Sequence, residues 1–220
     1  MVETTSNRLS RLREPFCGLS HFAGAILSVI ALIALLILSH GRVWHTLGFT
    51  IYGLSFINLY FASGLYHSVH AEPERLVKYQ KFDHVAIFWV IVGSYAPLCL
   101  TLLRGPLGWK LFWIEIGLAV IGSALVLSRR GIPHWFRILI YVLMGWLITI
   151  VFPAMHQILP PSSFAWMIGG GIIYSVGTVI LAADWPHLWR GRFSAHDLWH
   201  IFVLVGSACH FYFYVRYVAL

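Results

Sequence analysis

Apolar stretches of about 20 residues recur along this chain, and that repetition limits its fold more than any other feature. Seven are visible, at 19–40, 46–67, 83–103, 109–128, 137–156, 164–184 and 196–216. Each is long enough to cross a hydrocarbon core of roughly 30 Å as a helix rising about 1.5 Å per residue. The connections between them are short, so they belong to one unit. The chain is 59% hydrophobic and only 10% charged, whereas soluble domains carry charge on roughly a quarter of their residues. The expected fold is therefore an all-α integral membrane protein, a seven-transmembrane helix bundle. Residues 1–18 form a cytoplasmic N-terminal tail and 19–220 a single domain. The first apolar run is too long for the h-region of a cleavable signal, and it follows a polar tail with Arg8, Arg11 and Arg13.

The net charge of +7 does not point to nucleic acid, because the basic residues follow the membrane pattern. With the N-terminus inside, eleven Lys and Arg residues fall on inner segments. They are Arg8, Arg11, Arg13, Arg75, Lys78, Lys81, Arg129, Arg130, Arg137, Arg190 and Arg192. Four fall outside: Arg42, Arg104, Lys110 and Arg216. Positive charge favours the cytoplasmic side, so the N-terminus is expected inside and the C-terminus outside. The partners this implies are membrane lipids, with basic residues at the headgroups. Cys17, Cys99 and Cys209 lack the spacing of a metal motif and read as free thiols.

Against this apolar background a few polar residues stand out. Ser63-Gly64-Leu65-Tyr66-His67 ends the second run, Asp83 opens the third, and Ser194-Ala195-His196-Asp197-Leu198-Trp199-His200 opens the seventh. Ionisable groups at such depths are costly and serve a purpose or find a partner. Residues four apart share a helix face, so Ser63 with His67, and His196 with His200, each aim at one place. The topology brings all three segments to the cytoplasmic side. Three imidazoles with an open fourth position are a ligand set for catalytic zinc. The expected metal ligands are thus His67, His196 and His200, with Asp83 and Ser63 beside them as catalytic groups.

Other polar residues carry weaker signals. His21 opens the first span and Glu14 precedes it by seven residues, a pairing that suits a supporting or gating role. His84 and Asp197 neighbour the site in sequence but are expected to point about 100° away. His210 lies ten residues beyond His200, about 15 Å along the axis, and suits packing. Glu115 is expected to pair with Lys110 or face a polar cavity, and Asp184 to anchor the last inner loop. A surface helix is expected around 11–16, and His187 reads as a loop residue.

These blocks resemble the hemolysin III-related branch of the progestin and adipoQ receptor (PAQR) family. The blocks are Glu14 with Ser20-His21 and Gly24; Ser63 to His67; Lys81-Phe82-Asp83-His84 with Ile87 and Gly93-Ser94-Tyr95-Ala96-Pro97; and His196 to Leu204 with His210. The resemblance runs through most of the chain. It implies seven helices with zinc near the cytoplasmic face on His67, His196 and His200, Asp83 hydrogen-bonding the zinc-bound water, and Ser63 beside it. It also implies kinship with membrane hydrolases that include alkaline ceramidases. The short tails look like the bacterial branch, which is linked to membrane lipid homeostasis and sits in the cytoplasmic (inner) membrane. One departure is Cys17, where the family commonly has Asn.

The expected function is a zinc-dependent hydrolase of a lipid amide or ester, with a ceramide-like or other acyl-lipid substrate. The alternatives are a non-catalytic sensor or receptor with structural zinc, and a pore or proton-coupled carrier. Structural zinc sites are usually closed by four protein ligands. A carrier needs polar groups along its whole path, and here the outer half offers little beyond Glu115 and His210.

Overall fold

In the computed structural model, residues 12–186, 188–189 and 193–220 are described. Arg8, Arg11, His187, Arg190 and Arg192, and most of the expected N-terminal tail, lie outside them. The long helices are α1 (Pro15–Leu38), α2 (Val43–Ser68), α3 (Pro73–Leu100), α4 (Pro106–Leu127) and α5 (His134–Trp146). A 3₁₀ turn, Leu147–Val151, and the short α6 (Phe152–Met155) carry α5 onward. Then come α7 (Pro161–Ala183) and α8 (Ala195–Tyr214), which ends in a π-turn, Val215–Ala219. Among the described residues there is no β-strand, only a bridge between Trp189 and Phe193.

Local sequence accounts for the boundaries. Pro15, Pro73, Pro106 and Pro161 each occupy the first helical position, where the missing N–H costs nothing and φ is already helical. Helix α8 starts instead with a capping box. Ser194 accepts from the Asp197 N–H, and the Asp197 carboxylate accepts from the Ser194 N–H. Gly41 and Gly131 take positive φ (78° and 64°) in the turns after α1 and α4. Helices start earlier than the apolar runs do: α1 begins at Pro15 and α3 at Pro73, so the charged stretch before Asp83 continues that helix unbroken.

Six helical segments are long and apolar enough to cross a membrane: α1, α3, α4, His134–Met155, α7 and Ala195–Ala219. Helix α2 has 26 residues and so the necessary length, but Thr46, Thr50, Tyr52, Ser55, Asn58, Tyr60 and Ser63 make it more polar. Its position explains that composition. Helices α2 and α3 each bury twelve residues, against six in α1, so α2 is screened from the surroundings by its neighbours. Helix α1 packs on α2, α2 on α3, α3 on α4 and α5, α5 on α7, α7 on α8, and α8 returns to α1. The ring closes between the first and last long helices.

The exterior is apolar. Ile26, Ile30, Ile33 and Ile37 of α1, Trp113, Val120 and Ile121 of α4, and Ile172 and Val179 of α7 all face outward. Polar side chains go inward, among them His21, Ser63, His67, Asp83, Glu115 and His200. This distribution suits a hydrocarbon surround, where an outward polar group has no partner. Together with the apolar helices it makes this an integral membrane protein.

Close helix approach depends on small residues. At Gly48 of α2, an added Cβ would lie 2.9 Å from the Pro97 Cα and 3.3 Å from the Ala96 carbonyl oxygen of α3. Both are backbone atoms, so no side-chain rotation relieves the overlap. Gly48→Ala should therefore destabilise the α2–α3 pair by about 1–3 kcal/mol, read as a fall of several degrees in the unfolding midpoint in detergent. Gly117→Ala, with nothing within 4 Å, should keep that midpoint or raise it slightly, since Ala favours a helix interior over Gly. Equal midpoints for the two variants would refute the packing account.

Candidate metal centre

The ends of α2 and α8 meet at the start of α1. His67 lies in the last turn of α2, and His196 and His200 lie on successive turns of α8. The ring of His67 is 5.0 Å from that of His196 and 4.8 Å from that of His200, centroid to centroid, and His196 and His200 are 5.0 Å apart. His67 and His200 are each only 2% exposed. One ligand atom from each of these histidines, with the Cys17 sulfur, forms a group whose members all lie within 4.8 Å of one another.

The surrounding residues fit a metal. The chain entering α1 lies against the end of α2, with the Glu14 N–H donating to the His67 carbonyl at 2.9 Å. This places the Glu14 carboxylate on His67 Nδ1. That leaves Nε2 as the remaining ring nitrogen, in the carboxylate–histidine arrangement that orients metal-binding imidazoles. The other Glu14 oxygen pairs with Arg13 at 3.1 Å, and the Arg13 guanidinium lies 4.4 Å over the Tyr66 ring. The hydrogen bond with His67 holds the Glu14 carboxyl below the usual carboxylate range. His200 Nδ1 is enclosed beside the Cys17 backbone, and both nitrogens of His21 are enclosed with no hydrogen-bond partner among the described residues. The His21 ring stacks on His200 at 3.8 Å, with 29° between planes, and meets Tyr60 edge-on at 5.0 Å. Three imidazoles and a thiol gathered in one largely buried place, with one imidazole oriented by a carboxylate, form a donor set that fits a metal.

The centre opens onto a cavity of about 490 Å³. Ser63, Asp83 and Arg137 line it near the histidines, and Phe56, Leu59, Ile87, Val90, Ile91 and Val142 line it further in. Ser63 and Asp83 are buried and line it together. The cavity continues to Ser94, Trp146, Gly171 and His210. From Asp83 to Ser94 the α3 axis advances about 17 Å.

Sequence spacing thus anticipates five residues that the fold gathers at one end of one cavity. Asp83 does not pair with Lys81, whose ammonium reaches the Leu127 and Ser128 carbonyls at 3.2 and 3.0 Å. Four expectations need correction. His84 lines the cavity instead of turning away from it. Asp197 reaches the centre through the Cys17 thiol, which donates to Oδ1 at 3.1 Å. Glu115 pairs with none of the described residues and lines no described cavity, its two oxygens being enclosed without a partner there. His210 does more than pack: it borders the far end of the cavity while its Nε2 bonds the Met167 carbonyl at 3.1 Å. The residue that spacing missed is Cys17. Its signal is the four-residue interval to His21, which puts both on the face of α1 turned toward α8.

A family profile described as "Haemolysin-III related" matches residues 9–211. Hemolysin-3 of Bacillus cereus is 39% identical over 223 residues, covering 99% of this chain and 98% of the relative. A hemolysin-3 homolog of Bacillus subtilis (strain 168) is 34% identical over 198 residues, with 89% of each covered. The monocyte to macrophage differentiation factor of Homo sapiens is 26% identical over 180 residues, covering 80% of this chain and 72% of the relative.

Outer partners of ligating histidines typically contribute 10–100-fold in metal affinity. Glu14→Gln should therefore weaken metal binding about 10–100-fold, measured by competition with a chelator in detergent. An unchanged affinity would reduce the Glu14–His67 contact to a helix-docking bond.

Proposed function

The chain belongs to the haemolysin-III-related family, and we propose that it is a zinc-dependent membrane hydrolase cleaving an amide or ester bond of an acyl lipid. The observation that carries this reading is the convergence of three histidine ligand atoms, one buried acid and one hydroxyl at the polar end of a largely apolar cavity. In this reading α2 crosses the bilayer as a seventh span, the N-terminus is cytoplasmic, and the centre lies near the inner face. A bacterial inner membrane is the expected location, and membrane lipid homeostasis the expected setting.

His67, His196 and His200 would hold the metal, and Glu14 would fix His67 in the tautomer that binds. Bound zinc would supply Lewis acidity, bringing the pKa of water toward ~7 and polarising a carbonyl. Asp83 would take the proton of the attacking water, the role of a general base at hydrogen-bond range. Ser63 lines the cavity beside Asp83 and would orient that acid or donate to a developing oxyanion. Arg137, which also lines the cavity, suits a polar or anionic lipid headgroup. The apolar lining beyond it would take the acyl chain, and enclosure there strengthens every polar interaction at the reacting end.

Asp83→Asn should lower turnover by about 10²–10⁴-fold while zinc stays near one per chain. The assay is release of fatty acid from lipid amides and esters in proteoliposomes, alongside metal analysis. The double variant His196→Ala/His200→Ala should lose both zinc and turnover while remaining folded. Normal hydrolysis by Asp83→Asn would remove Asp83 as the base. Absence of zinc from folded wild-type protein would remove the mechanism.

A further inference from the structure

Three histidines suffice for a catalytic zinc, yet this centre offers a fourth donor. Cys17 lies in the first turn of α1, 2% exposed, with its sulfur within 4.8 Å of the ligand nitrogens of His67, His196 and His200. A tetrahedral zinc with nitrogen at about 2.0–2.1 Å and sulfur at about 2.3 Å separates its ligand atoms by roughly 3.3–3.7 Å. The group needs to contract by about 1 Å, a movement on the scale of side-chain rotation.

The thiol already has a partner. Asp197 uses Oδ2 to accept from the Ser194 N–H and hydroxyl, both at 2.7 Å. That leaves Oδ1 for the Cys17 S–H, at 3.1 Å. The capping box holds the carboxylate in place, so the observed position of the sulfur, beside the histidines, is one in which the start of α8 holds the thiol.

We propose that Cys17 is a displaceable fourth ligand that closes the centre at rest and withdraws to Asp197 when substrate enters. On closing, Cys17 gives its S–H proton to Asp197 Oδ1 and its sulfur lone pair to the metal. On opening, the sulfur–metal bond breaks and the same proton returns to the sulfur. No oxidant or reductant is involved. The closed form is a His₃Cys set of the kind that makes a zinc site structural, and the open form keeps the vacant position that chemistry requires. One side chain thus decides which kind of site is present. The inference rests on the metal-hydrolase reading for its metal, but its test does not depend on turnover.

The test is zinc-edge X-ray absorption on purified full-length protein in detergent, with and without a long-chain acyl hydroxamate as a zinc-binding probe. Resting wild-type protein should show one sulfur at about 2.3 Å beside the nitrogen shell, and hydroxamate should remove it. Cys17→Ser keeps a hydroxyl for Asp197 and should keep zinc, but without sulfur in either condition. Cobalt-loaded wild-type protein supplies a check that needs no variant: a thiolate-to-cobalt absorption band that hydroxamate bleaches. A nitrogen–oxygen shell alone in resting wild-type protein would overturn the proposal and leave the hydrolase reading standing. Sulfur that hydroxamate leaves in place would make Cys17 a permanent ligand and also overturn it. Sulfur that is displaced, in a protein that cleaves no lipid, would uphold the proposal while the hydrolase reading fell. Wild-type protein that takes up no zinc would overturn both.

Discussion

A helix bundle surrounded by hydrocarbon offers no water to its polar side chains, and each must be satisfied from within. Most of this interior follows from that requirement. Ser28, Thr50, Thr178 and Ser207 turn back onto carbonyls of their own helices, at 2.7–2.8 Å. Tyr60 and Tyr174 share the Ser207 hydroxyl, at 2.6 and 2.9 Å, and so join α2, α7 and α8. Tyr214 donates to the Ser94 carbonyl. Where local acceptors are absent, the groups gather, and the largest gathering is the histidine centre. Glu115 alone among the enclosed acids of the described residues finds no partner.

The centre also governs how the ring closes. Helices α1 and α8 meet over a smaller surface than α1 with α2 or α7 with α8, and much of that meeting is the polar cluster itself. Glu14 on His67, Cys17 on Asp197 and His21 on His200 each tie α1 to one of the two ligand-bearing helices. A metal on the three histidines would join α2 to α8, the two helices to which α1 is tied. Binding free energy in such a site is also folding free energy, so the metal would contribute to holding the seam shut.

Much of this was legible from sequence because two periodicities dominate. Apolar runs of bilayer length gave the helices, and four-residue intervals put Ser63 with His67 and His196 with His200. Topology then placed Asp83 at the same level without any local motif. What escaped depends on tertiary approach. Cys17 has no metal spacing to other cysteines, and only the docking of α1 against α8 makes it a donor. Asp197 lies off the histidine face, yet as the third helical residue of a capping box its free oxygen points back toward α1. The break after Trp146 was hidden as well, because the apolar run continues through it. There the Tyr95 hydroxyl of α3 donates to the Met144 carbonyl at 2.7 Å, with the Gly145 carbonyl at 3.1 Å, and accepts from the Ile148 N–H at 2.8 Å.

Helix α5 buries a single residue, Met144. It is held by a handful of directional bonds: those of Tyr95, the Tyr141 hydroxyl on the His84 carbonyl at 2.7 Å, and the Trp146 indole on Ser175 at 3.0 Å. A segment secured by packing yields gradually, because many small contacts fail one after another. A segment secured by a few strong bonds in a low-dielectric setting yields all at once or not at all. Local stability follows buried apolar contact, so in hydrogen exchange α5 belongs with the low-protection elements of the bundle and α2 with the most protected. The wall of the cavity formed by α5 is therefore fastened by a few polar bonds more than by buried side chains.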